Sequence, residues 1–308
     1  MLIEFLSVGL GLVILVFAGD ALVKGAVNLA LRLGIPALVV SLTVVAFGTS
    51  APELLVSVQA ILDGAPGLAL GNVVGSNIAN VLMVLGVPAM IATLHTSNCE
   101  TRRDYLYMAA ATALFVALCL PGALTWWNGI LLLAVLAAIL AATFMSSRGA
   151  DADVEGADDA MAGWKVGAFL VLGLVGLPVG ASLLVDGATS IARAFGVSEA
   201  VIGLTLVAIG TSLPELATTV MAAIRRHADV ALGNVIGSNL FNLTAIMGIA
   251  VLVGPVPVDD NFLRLDLWIM VAATLLLVPF VFLGRDITRL WGIALSALYV
   301  VYLGVMFA

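Results

Sequence analysis

Apolar residues along this chain come in long unbroken runs, not in the alternation of a half-buried strand or the single stripe of a surface helix. The runs lie near 2–31, 36–62, 67–94, 104–121, 125–145, 165–195, 198–224, 228–254, 265–283 and 287–307. A helix needs roughly 20 mostly apolar residues to cross the hydrocarbon core of a bilayer, so the pattern predicts ten spans. The first run is expected to be one of them and not a cleaved leader. Its flank carries Glu4 and no Lys or Arg, and residues 163–195 repeat it in mid-chain, where no signal peptide is cut.

The polar positions inside these runs also repeat. A gap-free shift of 162 positions lays GNVVGSNIAN (71–80) on GNVIGSNLFN (233–242), and AFGTSAPEL (46–54) on AIGTSLPEL (208–216). The chain therefore reads as a first copy at 1–146, a bridge at 147–162 and a second copy at 163–308. Five spans per copy is an odd number, so the second copy enters the membrane from the opposite side. The expected fold is an all-α polytopic membrane protein, ten transmembrane helices arranged as two inverted-topology five-helix repeats. Secondary transporters with a site at the bilayer midplane are built this way.

Composition agrees with the pattern and narrows it. Apolar residues make up 63% of the 308 and charged residues 10%, with a mean hydropathy of +1.21. A soluble domain carries about 25% charged residues, which excludes a soluble enzyme, a nucleic-acid binder and a secreted disulfide scaffold. Cys99 and Cys119 make no disulfide framework, and His95 and His227 read as solvated loop residues. Much of the net charge of −7 sits in the bridge, where Asp151, Asp153, Glu155, Asp158 and Asp159 fall among Ala and Gly. That composition reads as an acidic, solvated cytoplasmic linker. Nine basic residues (Arg32, Arg102, Arg103, Arg148, Lys165, Arg225, Arg226, Arg285, Arg289) flank connections after odd-numbered spans, against Arg193 and Arg264 beside the others. Basic residues concentrate on the cytoplasmic side, so both termini are expected outside.

Two carboxylates, Glu53 and its repeat mate Glu215, lie deep in apolar spans. An ionisable group there costs several kcal/mol, about 3 or more, and is a functional candidate by default. Thr49, Ser50 and Glu53 share one helical face, as do Thr211, Ser212 and Glu215. Pro52 and Pro214 have no N–H for the carbonyls of Gly48 and Gly210. Freed carbonyls in hydrocarbon must line a cavity or meet a ligand. Carboxylate, hydroxyl and carbonyl form the all-oxygen set that hard cations such as Ca²⁺ and Na⁺ prefer. In the second motif Gly71, Gly75, Gly233 and Gly237 read as close helix contacts. Ser76, Asn80, Ser238 and Asn242 read as further ion contacts; interhelical hydrogen bonding competes evenly for Asn72, Asn77, Asn234 and Asn239. Asn77 and Asn239 would cap a helix broken at the motif. Asp20 and Lys24, one turn apart, read as a self-neutralising pair whose mates, Ser182 and Asp186, do not repeat it.

The paired motifs G-T-S-x-P-E and G-N-x-x-G-S-N-x-x-N resemble the α-1 and α-2 repeats of the Na⁺/Ca²⁺ exchangers in the Ca²⁺/cation antiporter superfamily. The resemblance covers essentially the whole chain and is closest to the short prokaryotic members. It implies a central site between the second, third, seventh and eighth helices, with Glu53 and Glu215 as shared carboxylates for Na⁺ and Ca²⁺. Thr49, Ser50, Thr211 and Ser212 would add oxygens, with the carbonyls of Ala46 and Ala208 nearby, and Ser76, Asn80, Ser238 and Asn242 would complete the shell. The long first and sixth helices would slide as a gate against an eight-helix core. Some relatives carry Asp where this chain has Asn242, and the two asparagines lean against K⁺ dependence.

The sequence thus reads as an antiporter of Na⁺ and Ca²⁺ in a prokaryotic inner membrane. Its partners are the two ions and the lipid bilayer, with no cofactor, no nucleic acid and no obligate protein partner implied. The rivals are a Ca²⁺/H⁺ antiporter, a cation channel and, least of all, an intramembrane enzyme.

Overall fold

The apolar runs fold as helices, because backbone in hydrocarbon must satisfy its own hydrogen bonds. The computed structural model describes residues 2–147, 161–196, 208–260 and 262–306, apart from the side chains of Asn98, Ser147 and Ala208. In the first copy α1 spans Leu2–Leu33, α2 Ala37–Thr49, α3 Ala51–Leu62, α4 Pro66–Ile91, α5 Arg102–Cys119 and α6 Trp126–Ser147. In the second, α7 spans Gly163–Ala194, α8 Ala208–Thr211, α9 Leu213–Ile224, α10 Ala228–Val253, α11 Phe262–Phe282 and α12 Arg289–Met306. Seven of these helices, or eight spans with the bent pair α2–α3 taken as one, are long and apolar enough to cross a bilayer. The fourth apolar run becomes α5, whose first turn is charged with Arg102, Arg103 and Asp104. The start of the seventh run and most of the acidic bridge lie outside the described residues.

The expected helix breaks fall beside the two prolines. α2 and α3 meet at an angle of 42° at Ser50, whose φ of −84° and ψ of 6° leave the helical region. Ser212 takes nearly the same angles, −85° and 2°, between α8 and α9. The second motif behaves otherwise. α4 and α10 stay helical through Asn77 and Asn239 and then widen into matched π-helical turns, Asn80–Val84 and Asn242–Ile246. Asn77 and Asn239 therefore cap nothing. No proline interrupts the ladder here, so one wide turn of the kind often found at functional sites absorbs the distortion.

α1 and α7, repeat mates, lie side by side and antiparallel. Gly11 faces Gly180 and Leu184, whereas Leu22 faces Gly173 and Gly25 faces Leu170. A Cβ at Gly11 would stand 2.7 Å from the Gly180 carbonyl oxygen, so the two backbones touch. α1 also rests on α9, with Gly19 against Ala217. α10 runs through the middle of the molecule, nearly every side chain buried. Its Gly233 and Gly237 back onto α2, as small-residue stripes do, whereas their mates make no such contact: Gly71 meets only the Phe262 ring and Gly75 faces open space.

The connections gather in two sets. Leu94 and Ile287, after the third and ninth runs, form an isolated β-bridge, and Thr96 donates to the Arg285 carbonyl at 2.8 Å. Arg103 bonds Ser146, and Arg32 bonds the Met161 carbonyl at 2.5 Å. In the other set, β1 (Ala123–Leu124) pairs antiparallel with β2 (Val256–Pro257), joining the connections after the fourth and eighth runs. In the first set, His95 also meets Asp286 at 2.9 Å. Burial works against the Asp286 carboxylate, yet hydrogen bonds from Ser97 and His95 outweigh it and hold that group below its usual range.

A Cβ at Gly237 would clash with the Leu42 carbonyl oxygen, a contact that rigid backbone cannot relieve. Gly237→Val is expected to cost about 1–3 kcal/mol of stability. Thermal unfolding in detergent should show it as a lowered midpoint; an unchanged midpoint would mean that α2 and α10 are not in contact there.

Candidate cation site between the two motif pairs

Each glutamate sits in the first turn of a helix that begins just after a break, Glu53 in α3 and Glu215 in α9. The free N–H groups at such an end favour a negative charge, which offsets part of the cost of burying one. Both residues are 1% exposed. Thr49, Ser50 and Ser212 are buried beside them, and Thr211 is half-buried. The two copies meet here directly. Ser50 Oγ donates to Glu215 Oε1 at 3.0 Å, and Thr49 Oγ1 lies 3.4 Å from Asn234 Oδ1. The Ala46 carbonyl accepts from Ser50 N at 3.0 Å and from Thr49 Oγ1 at 3.3 Å, so it is engaged in this conformation. Ala208 opens α8.

The asparagines of the second motif hold the glutamate helices in place. Asn72 Nδ2 donates to the Glu53 carbonyl at 3.2 Å and to Ser57 Oγ at 2.9 Å. Asn234 Nδ2 does the same for the Glu215 carbonyl, at 3.3 Å, and Thr219 Oγ1, at 3.1 Å. These bonds tie the two motifs within each copy. Asn80 and Asn242 tie the copies to each other, Asn80 through Asn239 and Asn242 through Asn77, each at 3.1 Å. The Asn80 turn also packs on α9, which carries Glu215, and the Asn242 turn on α3, which carries Glu53. Ser76 and Ser238 are buried on the same two helices.

Six side-chain oxygens on these motifs are buried with no hydrogen-bond partner: Glu53 Oε2, Glu215 Oε2, Ser212 Oγ, Ser238 Oγ, Asn80 Oδ1 and Asn242 Oδ1. Leaving one such group unmet costs about 1–3 kcal/mol. Six together, two of them on carboxylates from opposite copies, form an open oxygen set that a positive ligand would satisfy. The donor set is oxygen throughout and fits a hard cation. Among the described residues no cluster of three or more His, Cys, Asp or Glu could bind a metal. A cation placed here would meet two carboxylates together with hydroxyls and amides. The cluster is not symmetric: Ser50 reaches Glu215, but the mirror bond from Ser212 to Glu53 is not made.

Two features escaped the sequence reading. Asp20 pairs with Lys24 at 3.0 Å as expected, but Arg225 at the end of α9 is a further partner, and no local spacing could reveal it. Asp104 and Asp266 are a second pair of carboxylates in repeat register. Both are buried near the starts of α5 and α11, and each has Oδ1 without a hydrogen-bond partner, although Arg103 Nε lies 3.7 Å from that of Asp104. The 162-residue shift would have exposed that pair had it been applied to every acidic residue.

The family model for sodium/calcium exchanger protein matches residues 3–145 and 165–308. The putative antiporter CaxA of Alkalimonas amylolytica is 36% identical over 318 residues, with 100% of both chains covered. The sodium/calcium exchanger MaX1 of Methanosarcina acetivorans is 34% identical, covering 99% of each chain. The inner membrane protein YrbG of Escherichia coli is 35% identical over 86% of this chain and 85% of its own. Among solved structures, the sodium-calcium exchanger NCX_Mj soaked with zero Na⁺ and Ca²⁺ superposes with a TM-score of 0.87 at 32% identity, covering 99% of both chains.

The asymmetry between the two serines is testable without any transport assay. Ser50→Ala removes a hydrogen bond to a buried carboxylate and should destabilise the ion-free protein by about 1.5–3 kcal/mol. Ser212→Ala removes a hydroxyl that bonds nothing and should leave ion-free stability unchanged. Thermal unfolding in chelator and Na⁺-free buffer separates the two; equal shifts would contradict the geometry.

Proposed function

The chain belongs to the sodium/calcium exchanger protein family, and from that premise we propose that it exchanges Na⁺ for Ca²⁺ by alternating access at a midplane site. The family is one of transporters, and the apolar helices make this an integral membrane protein. One observation carries the finer reading: two buried glutamates from opposite copies lie among unpartnered oxygens, and Ser50 of the first copy donates to Glu215 of the second.

In this reading the ligands are Glu53, Glu215, Thr49, Ser50, Thr211, Ser212, Ser76, Asn80, Ser238 and Asn242, with the carbonyls of Ala46 and Ala208 beside them. Residues 1–146 and 163–308 are two inverted five-span repeats, and 147–162 is their cytoplasmic linker. The antiparallel packing of α1 on α7 supports the inversion. So does the sorting of connections, odd with odd and even with even. Together with the nine basic residues on the odd side, this supports both termini outside. The family resemblance and the likeness to YrbG support an inner-membrane location.

Coupling follows from the cost of charge in a dry barrier. Na⁺ and Ca²⁺ compete for one oxygen set, and two bare carboxylates are too costly to carry past apolar walls. Only a loaded site lets α1 and α7 move against the rest of the bundle. Buried carboxylates with an unpartnered oxygen can also take up protons, so a Ca²⁺/H⁺ exchange is the reading to be tested against.

In proteoliposomes an outward Na⁺ gradient should drive Ca²⁺ uptake, and a pH gradient alone should not. Glu53→Gln and Glu215→Gln should each lower that uptake at least about 100-fold, since stripping one partner from a buried charge pair costs about 3–5 kcal/mol. Uptake that follows the pH gradient would assign the proton, and uptake that survives either substitution would displace the site.

A further inference from the structure

Asn80 and Asn242 can serve a cation only with the oxygen end of the amide. An amide has two nearly isosteric ends, and the wrong one presents an N–H donor. We propose that Asn77 and Asn239 are positioning residues: each fixes the amide of the opposite copy so that Asn242 and Asn80 turn their oxygens toward the cation. The inference rests on the reading of the oxygen cluster as the cation site.

The geometry runs outward from groups that can only accept. The main-chain oxygen of Asn77 takes Asn239 Nδ2 at 3.3 Å. Asn239 must then offer its Oδ1 to its next neighbour, and that atom takes Asn80 Nδ2 at 3.1 Å. With its Nδ2 committed, Asn80 is left with Oδ1 buried and unpartnered. The other chain starts at the thioether of Met270, which takes Asn77 Nδ2 at 3.7 Å. Asn77 Oδ1 then takes Asn242 Nδ2 at 3.1 Å, and Asn242 Oδ1 is likewise left buried and unpartnered. All four amides are 1–2% exposed, so water does not compete for their orientation. The matched π-helical turns that begin at Asn80 and Asn242 set both residues at the same place in their copies.

A carboxylate at position 242 would need no such orientation, because both of its ends are oxygen. That difference supplies the test. Full-length protein in proteoliposomes is assayed for Na⁺-driven Ca²⁺ uptake as wild type, Asn77→Ala, Asn242→Asp and the double variant. Asn77→Ala should raise the Ca²⁺ concentration for half-maximal uptake about tenfold, the effect of about 1.4 kcal/mol. The maximal rate should change far less. In the Asn242→Asp background the same Asn77→Ala change should be nearly silent. Equal penalties in both backgrounds would mean that Asn77 acts through packing alone, and no penalty in either would overturn the proposal outright.

If Asn77→Ala does not fold, Asn239→Ala with and without Asn80→Asp makes the same comparison on the other chain. The Glu53→Gln and Glu215→Gln variants keep the two failures apart. Retained Ca²⁺ uptake in those variants rejects the site itself. Lost uptake there, beside a silent Asn77→Ala, rejects the positioning role alone.

Discussion

Two carboxylates held in an apolar bundle, with no salt bridge to Lys or Arg among the described residues, set the terms for the surrounding structure. In a low dielectric each demands a counter-charge, and the described residues supply none. It supplies partial dipoles instead: the helix starts behind Ser50 and Ser212, the Ser50 hydroxyl and the amides of the second motif. These orient the glutamates without neutralising them. Under the proposed reading a cation completes the site, and the irregular backbone at both prolines faces that need. The rest of the fold, long glycine-faced helices around a buried α10, keeps water and lipid away from the cluster.

Duplication makes this economical, and the departures from symmetry carry their own meaning. The helix breaks, the π-helical turns and the asparagine braces recur at matched positions. The Ser50–Glu215 bond does not recur. The contacts of α7 are unequal as well, with Leu174 on Gly48 and Val185 on Gly210, whereas exact two-fold symmetry would set Leu12 on Gly210. Two copies of one motif pair thus sit in different surroundings. Under the proposed reading, alternating access is the exchange of those surroundings between the copies.

Much of this was legible in the residues. Run lengths located the helices, and Pro52 and Pro214 located the breaks to within two residues, because a missing N–H acts locally. The 162-residue shift singled out both glutamates. What stayed hidden was non-local. Asn77 and Asn239 carry the same side chain as the other asparagines, and only the crossing of α4 and α10 shows that they bond across the copies and end no helix. Arg225 joins Asp20 across a distance in sequence that no spacing rule reaches. The pair Asp104 and Asp266 was visible in register, but the hydroxyls beside Asp104, Thr101 and Tyr105, have leucines as mates, Leu263 and Leu267, and no proline marks either position.

The central claim is that one set of oxygens, shared between the copies, takes either Na⁺ or Ca²⁺. Equilibrium binding of radioactive Ca²⁺ to the purified protein in detergent, titrated with Na⁺, tests this most directly. The account predicts one Ca²⁺ site per chain, competitive displacement by Na⁺, and loss of that site in Glu53→Gln and in Glu215→Gln alike. Ca²⁺ that stays bound at saturating Na⁺, or that binds when either glutamate is neutralised, would contradict it.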